Sequence, residues 1–386
     1  MKTICSKCVV DLTLKNIIKK DGKSGKCLIC EKDNEEVISW DDKNFRSVFR
    51  GLIRYNYSEW DYNIHWGGNG LEDLLYKENP IVKEFQENDK FEEMIREITE
   101  PGYYYDYDTG VSLYAGYDEN GQQNQLLRAL KNDIHSSLQQ YQKRLEKQNY
   151  FLMEDEVHKL LKVHLKNLEK IFPNESVLYR ARIGFKYKGT PLNGFGSEWH
   201  YKPYEHSEIS APPPLITGNG RMNRVGVSFM YLATNRDTAI SEIRPHPGQK
   251  VSIGTFKSKR EMKIVDFNLI SIADYACTDN RLDDYLLINS INQLFSMPIT
   301  PEERTKYSFT QFLADIIRKQ GFDGIAYKSS IGDGVNYVFF DPNLFVYVDD
   351  SGEVLTTESL VYEHRPMRLM DGGEYATNLN GDFLNY

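Results

Sequence analysis

The run APPPLITGNGRMNRVGVSFMYLATNRDTAISEIRP, residues 211–245, decides the reading of this chain. A proline-stiffened entry leads into a glycine-flanked Arg221, and a short strand is expected over residues 227–232. An N-capped helix follows and ends in Glu242. A basic group, permissive backbone, an aromatic (Tyr231) and a carboxylate therefore meet at the end of one strand. Arginine offers a planar fork to phosphate, glycine lets a ligand approach the backbone, and a carboxylate can answer developing positive charge. Those are the parts of a site for an anionic, ring-bearing small molecule. Spacing alone does not separate such a pocket from a hairpin loop followed by an ordinary helix.

Outward from this run, the 386 residues are enough for two or three domains. Apolar residues make up 40% and charged residues 27%, the balance of a folded protein. The formal charge of −9 argues against a protein that coats nucleic acid, whose phosphate-tracking surfaces are usually basic. No apolar run reaches about 18 residues and no signal-peptide pattern opens the chain, so a cytoplasmic protein without membrane contact is expected.

Four segments are expected: 1–38, 39–172, 173–350 and 351–386. Residues 41–170 read mainly as helices. FRSVFRGLIRY (45–55), NQLLRALKNDIHSSLQQYQKRLEKQ (124–148) and EDEVHKLLKVHLKNLEKIF (154–172) each place apolar residues at helical spacing. Such stripes are interfaces between packed helices. The segment PGYYYDYDTGVSLYAGYDENG (101–121) breaks the helical pattern and suits a hairpin or lining loop. From residue 176 the texture changes to short strands, glycine turns and brief helices, so the fold class is α+β with the helical part first. Residues 192–210 read as a long loop of the kind that is frequently functional. Residues 351–386 read as a tail.

Four of the five cysteines form Cys5-x2-Cys8-x18-Cys27-x2-Cys30. Two matched turns of this spacing supply four thiolates, which close a tetrahedral zinc site and leave no position for catalytic water. A 38-residue segment cannot fold on core burial alone, and a bound Zn2+ would stabilise it. The expected site is structural, and Cys277 stands apart from it.

The blocks GRMNRVG, YLA and TAISEIRP of the opening run have companions on both sides. LYRARI lies at 178–183, YSFTQFLADIIRKQGFDGIAYKSS at 307–330 and GVNYVFFDP at 334–342. In this order they resemble the RES domain family, named for an Arg, a Glu and a Ser, over about residues 175–345. The resemblance implies an ADP-ribosyltransferase-like fold acting on NAD+ as substrate and breaking its nicotinamide–ribose bond. It also implies a toxin or an anti-phage abortive-defence effector, held in check by an antitoxin or another partner protein. Homo-oligomer formation stays open.

Carried onto these positions, the resemblance makes Glu242 the carboxylate beside the ribose. Arg180 and Arg221 become the holders of pyrophosphate or incoming nucleophile, with Arg182 a competitor of Arg180. Tyr231 would stack on the nicotinamide or bond its amide. Ser329, with Ser330 as alternative, would position the ribose or carboxamide. Asn223 and Gln311 belong to the same cleft, Asn223 as a loop brace and Gln311 pointing in from a helix start. The acceptor can be phosphate (phosphorolysis), water (hydrolysis) or a protein side chain (ADP-ribosylation); all three pass through the same cation-like transition state.

The helical stretch ahead resembles the HEPN-type domains fused to RES proteins. HEPN ribonucleases use Arg, four to six residues, then His, and Arg128 and His135 satisfy that spacing. A solvated helix face is the better reading of the pair, with a HEPN-type ribonuclease the remaining alternative.

Overall fold

The computed structural model describes residues 2–77, 79–83, 89–99, 110–191, 197–299 and 306–361. It divides into two compact units, one of Met1–Leu138 with Ile270–Ser290, the other of Gln139–Leu269 with Ile291–Tyr386. Neither unit is a single consecutive stretch of sequence.

In the first unit, β1 (Thr3–Cys5), β2 (Lys23–Gly25) and β3 (Glu35–Ser39) form an antiparallel sheet in the order β1-β3-β2, with α1 (Leu12–Asp21) between the first two strands. The carboxylate of Asp11 starts α1 by accepting from the amides of Thr13 and Leu14. Helices α2 (Lys43–Asn56), α3 (Glu59–Tyr62), α4 (Leu71–Lys77) and α5 (Asp89–Thr99) follow. Phe45, Val48, Phe49, Leu52 and Ile53 of α2 are all buried, as the period of FRSVFRGLIRY requires. Trp40 packs on Phe45 and Phe49, with ring centroids 5.9 and 5.3 Å away.

The stretch 124–148 is not one helix. It contains a 3-10 turn (Leu130–Asn132) and α6 (Ser136–Leu145) only. Arg128 is exposed in an irregular segment, while His135 precedes α6 and is buried, its ring 3.1 Å from Asp283. The helix-face reading of that pair is therefore corrected. Within the 101–121 segment, residues 101–109 lie outside the described residues; beyond them Tyr117 and Gln123 form an antiparallel bridge.

The second unit holds α7 (Glu154–Leu165) and a nine-stranded sheet. The helical pattern of 154–172 ends early: Glu169–Phe172 is β4, an edge strand paired with the later strand Met262–Asp266. Pairing with a neighbour has overridden helical spacing there. The remaining elements in chain order are β5 (Val177–Ile183), β6 (Lys186–Pro191), β7 (Ser197–Lys202), β8 (Met230–Ala233), α8 (Arg236–Glu242), β9 (Lys250–Ser258), β10 (Met262–Asp266), α9 (Asp279–Ser296), α10 (Tyr307–Lys319), β11 (Gly324–Lys328), β12 (Val335–Phe339), β13 (Phe345–Tyr347) and β14 (Glu353–Thr356). Helix α9 contributes its residues up to Ser290 to the first unit.

The sheet order is β13-β9-β5-β8-β12-β11-β10-β4, with β14 also on β9. Strands β10 and β11 run parallel, joined by the long connection that contains α9 and α10, while their neighbours are antiparallel. Two expectations are corrected in this unit. The loop of 192–210 is partly a hairpin of β6 and β7, with 192–196 outside the described residues, and the tail begins with a strand, β14, laid on β9. Residues 362–386 lie outside the described residues.

Strands β5 and β8 share a single paired position, Tyr179 opposite Ala233, although β5 pairs with β9 along its full length. Residues just beyond that shared position on both strands line a cleft.

Candidate active site

The cleft has a volume of about 80 Å³ and draws its walls from four strands and one helix. Strand β5 supplies Tyr179 and Arg180, β8 supplies Tyr231, β11 Tyr327 and β12 Asn336, while α8 supplies Glu242. Helix α8 is placed by the carboxamide oxygen of Asn235, which caps it by accepting from the amide of Thr238. Seven residues later the helix ends on Glu242, and its carboxylate meets two donors. Ser329 Oγ and Asn336 Nδ2 donate to the same oxygen, Oε1, at 2.7 and 2.6 Å. Among the described residues no hydrogen bond reaches Oε2.

Ser329 is buried at the end of β11, and its Oγ also accepts from the amides of Ile331 and Gly332. Ser330 is exposed. The hydroxyl brought to Glu242 is that of Ser329. A similar separation distinguishes the two arginines. Arg180 lines the cleft, donating from Nε to the carbonyl of Ile209 at 2.7 Å and from Nη1 to that of Tyr231 at 2.8 Å. Burial pulls its guanidinium down to about 10, which leaves it charged at neutral pH. Among the described residues its Nη2 has no partner. Arg182, two positions on, is exposed over the Tyr204 ring and bonds the carbonyl of Glu208.

Arg221 does not line the cleft. Its Nη1 donates to the carbonyls of Phe295 and Met297, and its guanidinium lies over the Tyr307 ring at 5.9 Å. Those contacts, with the bond from Thr310 Oγ1 to its carbonyl, fasten the loop that carries it. Asn223 and Gln311 act on the same loop. Gln311, on α10, donates from Nε2 to Asn219 Oδ1 and to the carbonyls of Gly220 and Asn223, so it braces the loop. Asn223 donates to the carbonyls of Gly218 and Arg224.

Tyr231 ties loop and cleft together: its hydroxyl donates to Asn223 Oδ1 at 2.8 Å and accepts from the amide of Met222, while its ring lines the cleft. Burial pushes its phenol up to about 12, so it stays a neutral donor. Gly220 is required by this packing, since a Cβ there would stand 2.1 Å from Asn223 Oδ1.

Sequence reasoning passed over Asn336, Tyr327 and Tyr179. The signal for Asn336 was available: it is the polar residue in the otherwise apolar strand VNYVF, and it is buried. A buried amide in such a strand needs a partner.

In the first unit, Cys5 and Cys8 on one side and Cys27 and Cys30 on the other bring their sulfurs within 4.8 Å of one another. Three of the separations are 3.5, 3.8 and 3.8 Å. Tetrahedral coordination with bonds of about 2.3 Å places sulfurs about 3.8 Å apart, so the cluster fits a metal ion. The exposed Cys277 takes no part. No described helix is long and apolar enough to cross a membrane.

Residues 190–358 match the RES domain family. Glu242, Arg221, Ser329 and Asn336 fall inside the match, and Arg180 falls ahead of it. No curated protein matches the chain. Among solved structures, a chain in the crystal structure of the M. tuberculosis MbcT-MbcA toxin-antitoxin complex aligns at 11% identity over 51% of this chain and 92% of that one. Its TM-score is 0.28, so the two backbones do not superpose closely.

Proposed function

We propose that the second unit is an NAD+-degrading enzyme that cleaves the nicotinamide–ribose bond, with Glu242 as its catalytic carboxylate. The observation that carries this reading is the Glu242 carboxylate on the cleft wall, with Oε1 held by Ser329 and Asn336 and no hydrogen bond to Oε2 among the described residues. The RES match over the same residues supports it.

The chemistry uses each group in turn. The nicotinamide ring lies against the aromatic wall of Tyr231 and Tyr327. The Nη2 edge of Arg180 takes a pyrophosphate oxygen. As the bond between the ribose anomeric carbon and nicotinamide breaks, its electron pair leaves with nicotinamide and positive charge spreads over the anomeric carbon and ring oxygen. A fixed carboxylate oxygen beside that charge stabilises the transition state more than the ground state. Phosphate then adds through an oxygen to the anomeric carbon, giving ADP-ribose 1″-phosphate, or water adds and loses a proton to solvent, giving ADP-ribose. A protein side chain as acceptor is the alternative outcome of the same step. No observation favours a ribonuclease built on Arg128 and His135, one exposed and the other buried against Asp283.

The four N-terminal cysteines hold a structural Zn2+, supported by their sulfur spacing. An enzyme that drains NAD+ requires restraint, and the family resemblance points to a toxin or defence effector with a protein partner. Mass spectrometry of the products formed from NAD+, with and without phosphate, tests the reading. Release of nicotinamide is expected; intact NAD+ after prolonged incubation would overturn it.

A further inference from the structure

We infer that Asn336 is a positioning residue for Glu242: with Ser329 it claims one carboxylate oxygen and thereby aims the other into the cleft. The inference rests on the catalytic reading of Glu242 just given, and three observations support it.

The first is the chemistry of the bond. An ionised carboxylate only accepts, so the amide must turn its NH2 toward Glu242 Oε1, at 2.6 Å, and its Oδ1 away. Among the described residues this is the hydrogen bond that the side chain makes. Burying an amide in an apolar strand is unfavourable unless the bond it makes offsets the loss of water. A residue serving only the sheet would be apolar, like Val335, Val338 and Phe339 on the same strand.

The second is convergence. The terminal torsion of a glutamate is broad and roughly two-fold, so a carboxylate held by one donor can still swing. Here donors from β11 and β12 reach the same oxygen from two positions. With Oε1 doubly held, rotation would cost both bonds, and Oε2 keeps one direction.

The third is that the donors and the carboxylate sit on elements locked in register. The turn between β11 and β12, which begins at Ser329 and leads into the strand that carries Asn336, is latched to α8 and the residues just before it. The amide of Gly334 donates to Thr238 Oγ1 and that of Val335 to Thr234 Oγ1, each at 3.0 Å. A Cβ on Gly334 would lie 2.6 Å from Thr238 Oγ1 and 2.5 Å from Thr234 Oγ1. Thr238 is fully buried on the helix that ends in Glu242. A site held this way is preorganised before substrate arrives.

The test compares Asn336→Ala and Asn336→Asp with the parent chain. Nicotinamide release should fall about tenfold or more in kcat for Asn336→Ala while KM for NAD+ stays within about twofold, because orientation of the carboxylate matters most in the transition state. Asn336→Asp keeps the shape but sets a like charge against Glu242, and its kcat should fall further. A second measurement needs no turnover. In protein carrying carboxyl-13C glutamate, the Glu242 resonance, identified by its absence in Glu242→Gln, should shift in Asn336→Ala with the melting temperature little changed. An unmoved Glu242 resonance, or a loss confined to KM or to the melting temperature, would overturn the assignment. If the parent chain leaves NAD+ intact, the catalytic reading fails by itself, and the resonance still reports whether Asn336 orients the carboxylate.

Discussion

Ser329 Oγ lies 2.7 Å from Glu242 Oε1, although 87 positions separate the two residues. The serine sits where a strand ends and the glutamate where a short helix ends, and the sheet brings both ends to one cleft. Their contact turns two resemblances to family motif positions into one chemical unit.

Removing the charge from that unit should cost turnover before binding. Glu242→Gln keeps the shape and still accepts from Ser329 and Asn336 through its amide oxygen, but it cannot oppose a ribosyl cation. Nicotinamide release should drop by about a hundredfold or more, with a smaller change in NAD+ affinity measured by calorimetry. Near-parental turnover would remove the carboxylate from the mechanism and with it the assignment of the cleft.

The two adjacent serines should behave differently. Ser329 is buried and donates to Glu242, whereas Ser330 is exposed. Ser329→Ala should lower kcat by about tenfold or more and cost about 1 kcal/mol of stability, since the amides of Ile331 and Gly332 lose their acceptor. Ser330→Ala should match the parent in both respects. Equal effects in the two variants would contradict the placement.

Gly334→Ala tests the latch between hairpin and helix. Its Cβ would meet two threonine hydroxyls at 2.6 Å or less, both on or beside α8. A destabilisation of about 1–3 kcal/mol is expected in chemical denaturation, as for overpacking elsewhere. Activity at a temperature where the variant is folded should fall as well, because the shift moves Ser329 and Asn336 away from Glu242. Full activity in the folded variant would show that the register is not needed.

Metal analysis of protein purified without oxygen should find one zinc per chain. Cys8→Ser should lose it and Cys277→Ser should retain it, because Cys277 is exposed and outside the cluster. Chelation should loosen the small sheet β1-β3-β2, whose first strand ends on Cys5. Protein free of metal and equally resistant to proteolysis over residues 1–39 would count against a structural ion.

Arg128 and His135 should separate by stability and not by catalysis. Arg128→Ala should leave NAD+ consumption and melting unchanged, as expected for an exposed side chain. His135→Ala removes a ring that contacts Asp283 and accepts from the amide of Ser137, and it should cost about 1–2 kcal/mol. NAD+ consumption by the folded variant should persist. Loss of cleavage of an added tRNA in either variant would instead revive the ribonuclease alternative.

Much of this protein could be read from its residues in order. The capped helix ending on Glu242 and the cysteine pairs follow from local chemistry: a helix start needs a side-chain acceptor ahead of it, and a metal site needs matched turns. The period of 45–55 likewise placed its buried face correctly, because a surface helix has one apolar stripe. What local pattern could not settle was any choice between neighbours of like kind, such as Ser329 against Ser330 or Arg180 against Arg182. Side chains one or two positions apart differ in which face of a strand or turn they occupy, and only packing assigns that face. Nor could spacing show that the apolar pattern of 154–172 gives way to a strand after Leu168, since a partner strand 90 residues on decides it. Asn336 stood out as a polar residue in an apolar strand, but its role was out of reach for the same reason. Its meaning lies in a hydrogen bond to a carboxylate 94 positions away, which exists only once the sheet has set β12 beside β8.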